Sequence, residues 1–408
     1  MFSSFIFFAA GTNGGTATLA VRVAKWCKKK QIQCGFCTYQ ITNSDNYKSL
    51  IETKAYVSVD EDITYEKQYT KISPHISDGL ILVYTLTDYY KAEKIKKKYG
   101  NIKKILLYQV GFSPMPFCSY SNSYQKFVLK RQLLRIANSH YIKKLIESDS
   151  FYLMDEQCRD LLESLLPVKI DEDRILRLPY DLSVENEEKL DLRKDQIIST
   201  ICRMEFPFKG YVIGLIKYFW KIAKEYPSLH LIIIGKGEGE AEIKTLINCI
   251  PENIRKRIHI IGNIPYEKLC NILKKTTLYV GMGTTILDAV KYNCLSVVAA
   301  AYSMELEVEG LFLDYPTNLG FNAGMYKTTN FDKIVKRILE LSPQEYSILA
   351  EQQRTKAKNI YDVDVFMAKI SNVDNNNFLI SDSKYWDFRF NLSQYLSRKM
   401  KRLMVGKK

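Results

Sequence analysis

Two cations and a proline turn follow one of the apolar runs of the sequence. The segment ICRMEFPFKGY contains Arg203 and Lys209, six residues apart. An arginine can bind two phosphate oxygens at once and a lysine adds a point charge, so the pair could hold one anion if the turn folds back. Two solvated surface charges are the alternative that the spacing alone leaves open.

A second segment that could bind a ligand, GMGTTILDAV, begins at Gly281. Gly281 and Gly283 favour a tight turn, Thr284 or Thr285 can cap the helix that follows, and the free amides of such a turn can bind phosphate. Asp288 then falls in the first turn of this helix. A carboxylate there either complements the helix dipole or serves a ligand.

Two further glycine-rich loops follow apolar runs. The loop GTNGGT (11–16) places Gly14 and Gly15 at the start of a helix, where backbone amides can approach an anion closely. It does not fit the pattern G-x-G-x-x-G, which argues against a dinucleotide fingerprint. The loop GKGEG (235–239) is favoured as a plain turn.

The elements that must position these loops alternate regularly. Apolar runs of strand length are separated by amphipathic segments of helix length, which predicts parallel sheets with helices on both faces. The N-terminal runs are SSFIFFAA, QIQCGFCTYQI, DGLILVYTL and KKILLYQVG, and the C-terminal runs are QIISTICRM, LHLIIIG, IHIIG, LYVG and LSVVAA. We therefore expect a Rossmann-like domain at 1–180, a linker at 181–196, a second Rossmann-like domain at 197–360, and helices with a basic tail at 361–408.

Composition limits the class of protein. Of the 408 residues, 46% are hydrophobic, and no apolar run approaches the length of a membrane span. The apolar N-terminus lacks the basic start of a signal peptide, and an odd number of cysteines, nine, favours reduced thiols in the cytoplasm. Cys34 and Cys37 form a C-x-x-C, but a strand-like segment follows them, so a redox role is not favoured. The net charge of +14 predicts an anionic partner: a nucleotide diphosphate, phospholipid headgroups or nucleic acid.

The segments of the C-terminal half resemble a known family in type, order and spacing. They are ICRMEFPFKGY, LHLIIIGKGEGEAEI, RIHIIGNIPYEKL and LYVGMGTTILDAVKYNCLSVVAA. Over about 197–300 they are similar to the nucleotide-binding half of GT-B glycosyltransferases of the family 4, or group 1, type, and GTNGG after the first strand is similar to the family's N-terminal loop. The resemblance implies an α/β GT-B fold, with two Rossmann-like domains facing across a cleft and C-terminal helices crossing back to the N-terminal domain.

The resemblance also implies roles for the donor-side residues. Arg203 and Lys209 match the basic pair that holds the donor diphosphate and stabilises the leaving group, so they are the implied catalytic residues. The loop and helix start that bind the distal phosphate match Gly283, Thr284 and Thr285. Asp288 stands where the family usually has a glutamate that accepts hydrogen bonds from the ribose hydroxyls.

On the N-terminal side, the family's acceptor-domain loop, which closes over the donor, matches Gly14 and Gly15. Gln109, at the end of a strand, lies where family members often place an acceptor or sugar contact. The sequence departs from the family in a region implied to recognise the donor sugar. The family commonly has two glutamates eight positions apart. Here the second is the shorter residue Asp288, and the first is replaced by Val280. A catalytically silent GT-B partner subunit that binds a nucleotide sugar or a protein is therefore the alternative to an active enzyme.

The implied activity is retaining, metal-independent transfer of a sugar from a nucleotide diphosphate sugar, UDP- or GDP-linked, to a glycan or lipid-linked acceptor. Surface polysaccharide synthesis in bacteria, as in capsule or lipopolysaccharide, is the implied role. No cofactor and no metal are expected, because cations and helix amides can stabilise a departing diphosphate. The D-x-D segments VSVDED (57–62) and KIDEDRI (169–175) would hold a divalent cation in the other large glycosyltransferase fold, a reading that is not favoured.

Further basic and aromatic segments bear on partners. Contact with anionic lipid at the inner face of the membrane is predicted from segment 117–135 and from the six basic residues of 395–408. A solvated basic tail is the alternative. His230 and His259 are expected in the core or at a strand edge. The basic residues lack the motifs of a nucleic-acid-binding module, so nucleic acid is not an expected partner.

Overall fold

The computed structural model describes residues 2–9, 11, 15–40, 45–110, 141–183, 196–320 and 328–371. The chain divides into two compact units. Unit 1 comprises Met1–Tyr180 and Val363–Lys408, and unit 2 comprises Asp181–Asp362. Among the described residues, the helices are all too short or too polar to cross a bilayer.

Unit 1 is built on a six-stranded parallel sheet in the order β3-β2-β1-β4-β5-β6. Its strands are β1 (Ser4–Ala9), β2 (Gln33–Thr38), β3 (Tyr56–Val59), β4 (Gly79–Val83), β5 (Ile102–Gln109) and β6 (Phe151–Leu153). Its helices are α1 (Gly15–Lys29), α2 (Asp45–Glu52), α3 (Tyr65–Ile72), α4 (Leu86–Lys98), α5 (Glu156–Leu165) and, from the C-terminal part of the chain, α13 (Val363–Ser371).

The central strands of unit 1 are buried on both faces, as their uninterrupted apolar sequence predicts. Every residue of β1 is buried, and so is every residue of β4. Helices on both sides of a parallel sheet require such strands, because neither face meets water. The first apolar run of the chain is therefore a core strand, as expected.

The chain returns to unit 1 at its described C-terminal end. Helix α13 adds Val363, Phe366, Met367 and Ile370 to the same apolar core as β1. The Phe366 ring lies 5.6 Å from the Tyr108 ring of β5, and Trp26 Nε1 of α1 donates to Asp364 Oδ1 at 2.7 Å. The predicted crossing of a C-terminal helix back to the N-terminal part is thus present.

Unit 2 is built on a second six-stranded sheet in the order β12-β11-β10-β7-β8-β9, parallel except for β12. Its strands are β7 (Ile197–Ile201), β8 (His230–Ile234), β9 (Ile258–Ile261), β10 (Leu278–Gly281), β11 (Leu295–Ala299) and β12 (Val308–Leu311). Its helices are α6 (Tyr211–Ile222), α7 (Glu240–Asn248), α8 (Glu252–Arg255), α9 (Tyr266–Leu273), α10 (Thr285–Lys291), α11 (Phe331–Leu339) and α12 (Pro343–Tyr361).

Strand order reverses direction once in each sheet. In unit 1 the reversal lies between β1 and β4, and in unit 2 it lies between β7 and β10. In open α/β sheets, ligands bind beyond the carboxyl ends of the strands at this reversal, where the flanking loops diverge and leave a crevice. The two Rossmann-like units therefore confirm the predicted α/β class and mark one edge of each sheet as a place for a ligand.

The C-x-x-C pair lies inside β2 and is not arranged for redox chemistry. Cys34 and Cys37 are both buried. A hydrogen bond with Cys27, together with burial, raises the pKa of the Cys34 thiol well above its usual range, and burial raises that of Cys37. Thiols with raised pKa values are poor nucleophiles, so both cysteines are structural.

Candidate functional site

The loop after β7 carries Arg203 at the reversal point of the unit 2 sheet. The Arg203 side chain is 72% exposed, and its Nη1 atom lies 3.0 Å from Glu205 Oε1. An exposed ion pair of this kind contributes little to stability, because both groups remain solvated. The guanidinium is therefore available to exchange Glu205 for a stronger anion.

Lys209 ends the same loop in a more enclosed position. Its backbone amide donates to the carbonyl of Glu205 at 2.8 Å, and its Nζ atom lies 5.2 Å from the centroid of the Phe208 ring. Burial lowers the pKa of Lys209 to about 8, the nearby Arg203 charge adds to this, and Cys202 and Glu205 act in the opposite direction. Arg203 and Lys209, the two predicted cations, thus lie on one loop at the end of β7.

The glycine-rich loop 235–239 holds this cation loop from one side. A β-carbon on Gly235 would collide with the carbonyl of Cys202, and one on Gly237 would lie 2.5 Å from the carbonyl oxygen of Met204. Met204 also exchanges two backbone hydrogen bonds with the glycine loop, one with the carbonyl of Lys236 at 3.2 Å and one with the amide of Gly239 at 2.9 Å. The glycines are required because two backbones meet here, a role that the sequence did not reveal.

The turn after β10 lies beside the cation loop, since β10 and β7 are neighbours. Gly283 has a φ of 75°, which favours glycine, and its amide donates to the carbonyl of Leu319 at 2.5 Å. The first turn of a helix leaves amides without intrahelical partners, and here those of Thr284 and Thr285 open α10. The predicted phosphate-binding elements are thus at the expected edge, although the Gly283 amide is already used within the protein.

The expectation that Thr284 or Thr285 caps α10 with its side chain is wrong. Thr284 occupies the N-cap position without a side-chain hydrogen bond. The Thr285 hydroxyl donates to the carbonyl of Met282 at 3.1 Å and accepts from the Tyr279 hydroxyl at 2.6 Å. Tyr279 also accepts from the amide of Ile201 at 3.4 Å, so this phenol links the end of β7 to the start of α10.

A buried carboxylate supports the turn from behind. Glu309 of β12 is 2% exposed and accepts a hydrogen bond from Asn318 Nδ2, while Asn318 Oδ1 accepts from the amide of Gly320 at 2.8 Å. Burial raises the pKa of Glu309, and the Asn318 hydrogen bond opposes that rise. These contacts fix the segment whose Leu319 carbonyl binds Gly283. The only sequence signal was an acidic residue inside a short apolar strand.

Asp288 lies on α10 and is 6% exposed. Burial raises the pKa of the Tyr279 phenol, which joins β7 to α10, and the Asp288 charge raises it further. Val280 is fully buried in the apolar core of unit 2, opposite Val297 of β11. The position that carries a glutamate in the family is therefore a core position in this chain.

The predicted residues of unit 1 are described only in part. Gly14 lies outside the described residues, and Gly15 is the first residue of α1, after β1. Gln109 ends β5 and is 2% exposed, and its backbone carbonyl accepts from the amide of Met154 at 3.0 Å. Within the described ranges, neither atom of its side-chain amide has a hydrogen-bond partner.

The remaining polar segments lie apart from this edge or are paired locally. His230 Nδ1 of β8 and His259 Nε2 of the edge strand β9 are 3.0 Å apart. In the first D-x-D segment, Asp60 accepts from the amide of Asp62 at 3.0 Å and pairs with Lys71 at 3.8 Å. No group of three or more potential metal ligands occurs among the residues that the structure describes. Segment 117–135 and the basic tail lie outside those residues.

Comparison with known proteins places a family domain over this edge of unit 2. Residues 185–359 match the family model of glycosyl transferases group 1. The phosphatidylinositol N-acetylglucosaminyltransferase GPI3 subunit of Saccharomyces cerevisiae (strain YJM789) is 21% identical over 155 residues, which are 36% of this chain and 32% of the relative. The same subunit from strain ATCC 204508 / S288c is 24% identical over 110 residues, 26% of this chain and 24% of the relative. The chain thus spans about a third or less of the length of the curated relatives it matches.

Solved structures resemble most of the chain. A glycosyltransferase from Rickettsia africae ESF-5 has a TM-score of 0.59 at 15% identity, covering 91% of this chain and 97% of that one. Anabaena Alr3699/HepE in complex with UDP and glucose has a TM-score of 0.55 at 13% identity, covering 91% and 98%. The lipopolysaccharide outer core galactosyltransferase WaaB has a TM-score of 0.50 at 14% identity, covering 91% and 98%. At these identities the likeness shows the fold, which is GT-B.

Proposed function

Because this chain has the GT-B fold and carries a glycosyl transferases group 1 domain at residues 185–359, we propose that it is a glycosyltransferase. The donor is a nucleotide diphosphate sugar, UDP- or GDP-linked, and the acceptor is a glycan or a lipid-linked glycan. The observation that carries the proposal is the pair of cations, Arg203 and Lys209, on the loop after β7, next to the strand whose following turn contains Gly283, at the strand reversal of unit 2.

The chemistry follows from where the charge develops. When the bond between the sugar and the diphosphate breaks, negative charge grows on the departing oxygen. Arg203 and Lys209 supply two positive charges, and the amides at the start of α10 supply oriented dipoles. Groups held in place before the reaction stabilise such charge without reorganising, which is why they lower the barrier.

The retaining outcome and independence from metal are part of the proposal and are carried over from the resemblance. Two fixed cations can do for a diphosphate what a divalent cation does in other enzymes, since both neutralise the leaving group. Assays with and without EDTA and added Mg²⁺ or Mn²⁺ test this point. A requirement for either metal would contradict it.

Ribose recognition is assigned to Asp288, whose position on α10 follows the phosphate-binding turn by one helical turn. The test is thermal shift of the protein against UDP-, GDP-, ADP- and CMP-sugars, repeated with Asp288→Ala and Asp288→Asn. We expect one donor to stabilise the wild type and to stabilise Asp288→Ala much less. If no nucleotide sugar stabilises the wild type, or if the Ala variant responds equally, the site assignment fails.

A role in surface polysaccharide synthesis at the inner face of the membrane is the wider proposal. It is supported by the likeness in fold to the lipopolysaccharide outer core galactosyltransferase WaaB and by the basic residues of 117–135 and 395–408. Flotation with vesicles of phosphatidylglycerol and phosphatidylcholine tests the membrane part. Loss of binding on removal of 395–408 would support it, and absence of binding by the intact chain would contradict it.

A catalytically silent partner subunit is the second candidate function. It is favoured by Val280, which lies in the core and leaves the site without the first of the family's two glutamates. Release of free UDP or GDP from the donor in the presence of a crude acceptor extract separates the two functions. Turnover that depends on Arg203 supports the enzyme, whereas donor binding without turnover supports the silent subunit.

A further inference from the structure

Tyr302 is an exposed aromatic residue at the same edge of the unit 2 sheet. It follows β11, which runs parallel to β10, so it lies beyond the carboxyl ends of the strands. The residue is 63% exposed, more than any other large apolar or aromatic residue that the structure describes. Its ring is therefore accessible to a ligand at this edge.

The backbone of Tyr302 is also unusual. Its φ of 63° lies in the left-handed region, where a bulky side chain is a rare and strained choice. The other non-glycine residues with positive φ in the described ranges are polar: Gln31, Lys54, Asp78, Asp149 and Asn293. Strained residues of this kind cluster at functional sites, because the strain is tolerated in exchange for a specific position.

Packing explains the path of the chain at Tyr302 but not the choice of a tyrosine. The Tyr302 amide donates to the carbonyl of Phe208 at 3.1 Å. The chain that follows presses against α6, where a β-carbon on Gly210 would lie 2.6 Å from the carbonyl oxygen of Ser303 and one on Gly214 would collide with Leu306. A glycine at position 302 would take this path with less strain. Neither the hydrogen bond nor this packing requires a tyrosine side chain at position 302.

The ring lies next to the cation loop. Its centroid is 5.1 Å from that of Phe208, and the same Phe208 ring is 5.2 Å from Nζ of Lys209. We propose that Tyr302 contacts a ring of the nucleotide sugar, the nucleoside base or the pyranose, while Arg203 and Lys209 hold the diphosphate. Tyr302 is thus a specificity-determining residue, an inference that rests on the proposed function.

Replacing the ring separates its effect on binding from its effect on folding. Tyr302→Gly removes the ring and relieves the backbone strain, Tyr302→Phe keeps the ring, and Tyr315→Ala, which removes another exposed tyrosine of unit 2, is the control. Calorimetric titration with UDP-glucose, GDP-glucose, UDP and inorganic pyrophosphate measures affinity, and calorimetric unfolding measures Tm.

We expect Tyr302→Gly to bind the nucleotide sugar about 5- to 100-fold more weakly, the scale for losing one aromatic stacking contact. Its Tm should rise, and its affinity for pyrophosphate should be unchanged. Tyr302→Phe and Tyr315→Ala should bind as the wild type does. A loss confined to the nucleotide sugar assigns the contact to the sugar, and an equal loss for UDP assigns it to the base.

The inference is overturned if the wild type binds a nucleotide sugar and Tyr302→Gly binds it equally well, particularly if Tm falls. That result would make the ring a packing group for Phe208 and would leave the proposed function intact. If the wild type binds neither nucleotide sugar while remaining folded, the proposed function fails, and this inference fails with it.

Discussion

The amide of Gly283 donates a hydrogen bond of 2.5 Å to the carbonyl oxygen of Leu319. This bond ties the turn after β10 to a segment that is itself held by Asn318, which bridges the buried carboxylate of Glu309 and the amide of Gly320. The geometry of this turn thus depends on the hydrogen-bond network of Glu309, Asn318 and Gly320.

Asn318→Ala should destabilise unit 2 by about 2–4 kcal/mol, because it leaves the buried Glu309 carboxylate without its hydrogen-bond donor. Urea unfolding followed by circular dichroism measures the change. Glu309→Gln is the matched variant, since its amide oxygen can still accept from Asn318, and it should cost about 1 kcal/mol or less. Equal stability of Asn318→Ala and the wild type would show that the network does not hold the turn.

Arg203→Ala should lower turnover by about 100- to 1000-fold, the usual effect of removing one charged group that stabilises the transition state. The ion pair that it breaks is exposed, so stability should hardly change. Release of the nucleotide diphosphate is the assay. Arg337→Ala, which removes an exposed arginine of α11, is the control and should keep wild-type turnover. A similar rate for Arg203→Ala would remove Arg203 from the mechanism.

Activity should fall at alkaline pH because Lys209 loses its charge. With a pKa of about 8, Lys209 is protonated at pH 7, and kcat/KM should decline as the pH rises above 8. Lys209→Arg keeps its charge throughout this range, so its profile should lack the decline. A wild-type profile that stays flat through pH 9, or an unchanged decline in Lys209→Arg, would assign the alkaline limb to another group.

The low pKa of Lys209 also affects stability, and here a rise in pH has the opposite effect to its effect on activity. Between a pKa of about 8 in the folded chain and 10.5 in the unfolded chain, the unfolded chain binds more protons. Stability attributable to this residue therefore rises with pH across that window. Urea unfolding measures the stability of the wild type and of Lys209→Met at both ends of this pH window. The difference between the two proteins isolates the effect of Lys209, because they share all other titrating groups.

Gly237→Ala should disturb the cation loop, because the added β-carbon would lie 2.5 Å from the carbonyl oxygen of Met204. Two backbones must separate to accept it, at a cost of about 1–3 kcal/mol, and affinity for UDP-glucose should fall as Arg203 and Lys209 shift. Gly100→Ala is the matched control, since nothing lies within 4 Å of a β-carbon there. Unchanged affinity in Gly237→Ala would mean that the glycine loop does not position the cations.

Much of the fold was predictable because parallel strands buried on both faces leave long apolar runs in the sequence. The nine apolar runs each contain one strand, whereas the short strands β3, β6 and β12 were not among them. Strand-end positions also placed Arg203, Lys209 and Asp288 at one edge, since connections in such sheets put these loops together.

What the sequence could not show depends on contacts between distant residues. The cap on α10 was predicted from residue type, but the Thr285 hydroxyl is taken by Met282 and Tyr279. No local sequence pattern encodes the hydrogen bond between Glu309 and Asn318 or the backbone strain at Tyr302. Both arise only when separate segments of the chain meet in the fold. The role of the glycines at 235–239 was hidden for the same reason, because their partner is a separate loop.

The return of α13 to unit 1 has a consequence for biosynthesis. Unit 2 is a continuous insertion within unit 1, and its two ends are adjacent, because the amide of Val363 donates to the carbonyl of Tyr180 at 3.1 Å. Since domains generally fold as units while the chain emerges from the ribosome, unit 2 can complete its core first. Unit 1, although it begins the chain, lacks the apolar side chains of α13, the last of its described core, until residue 370 has been translated.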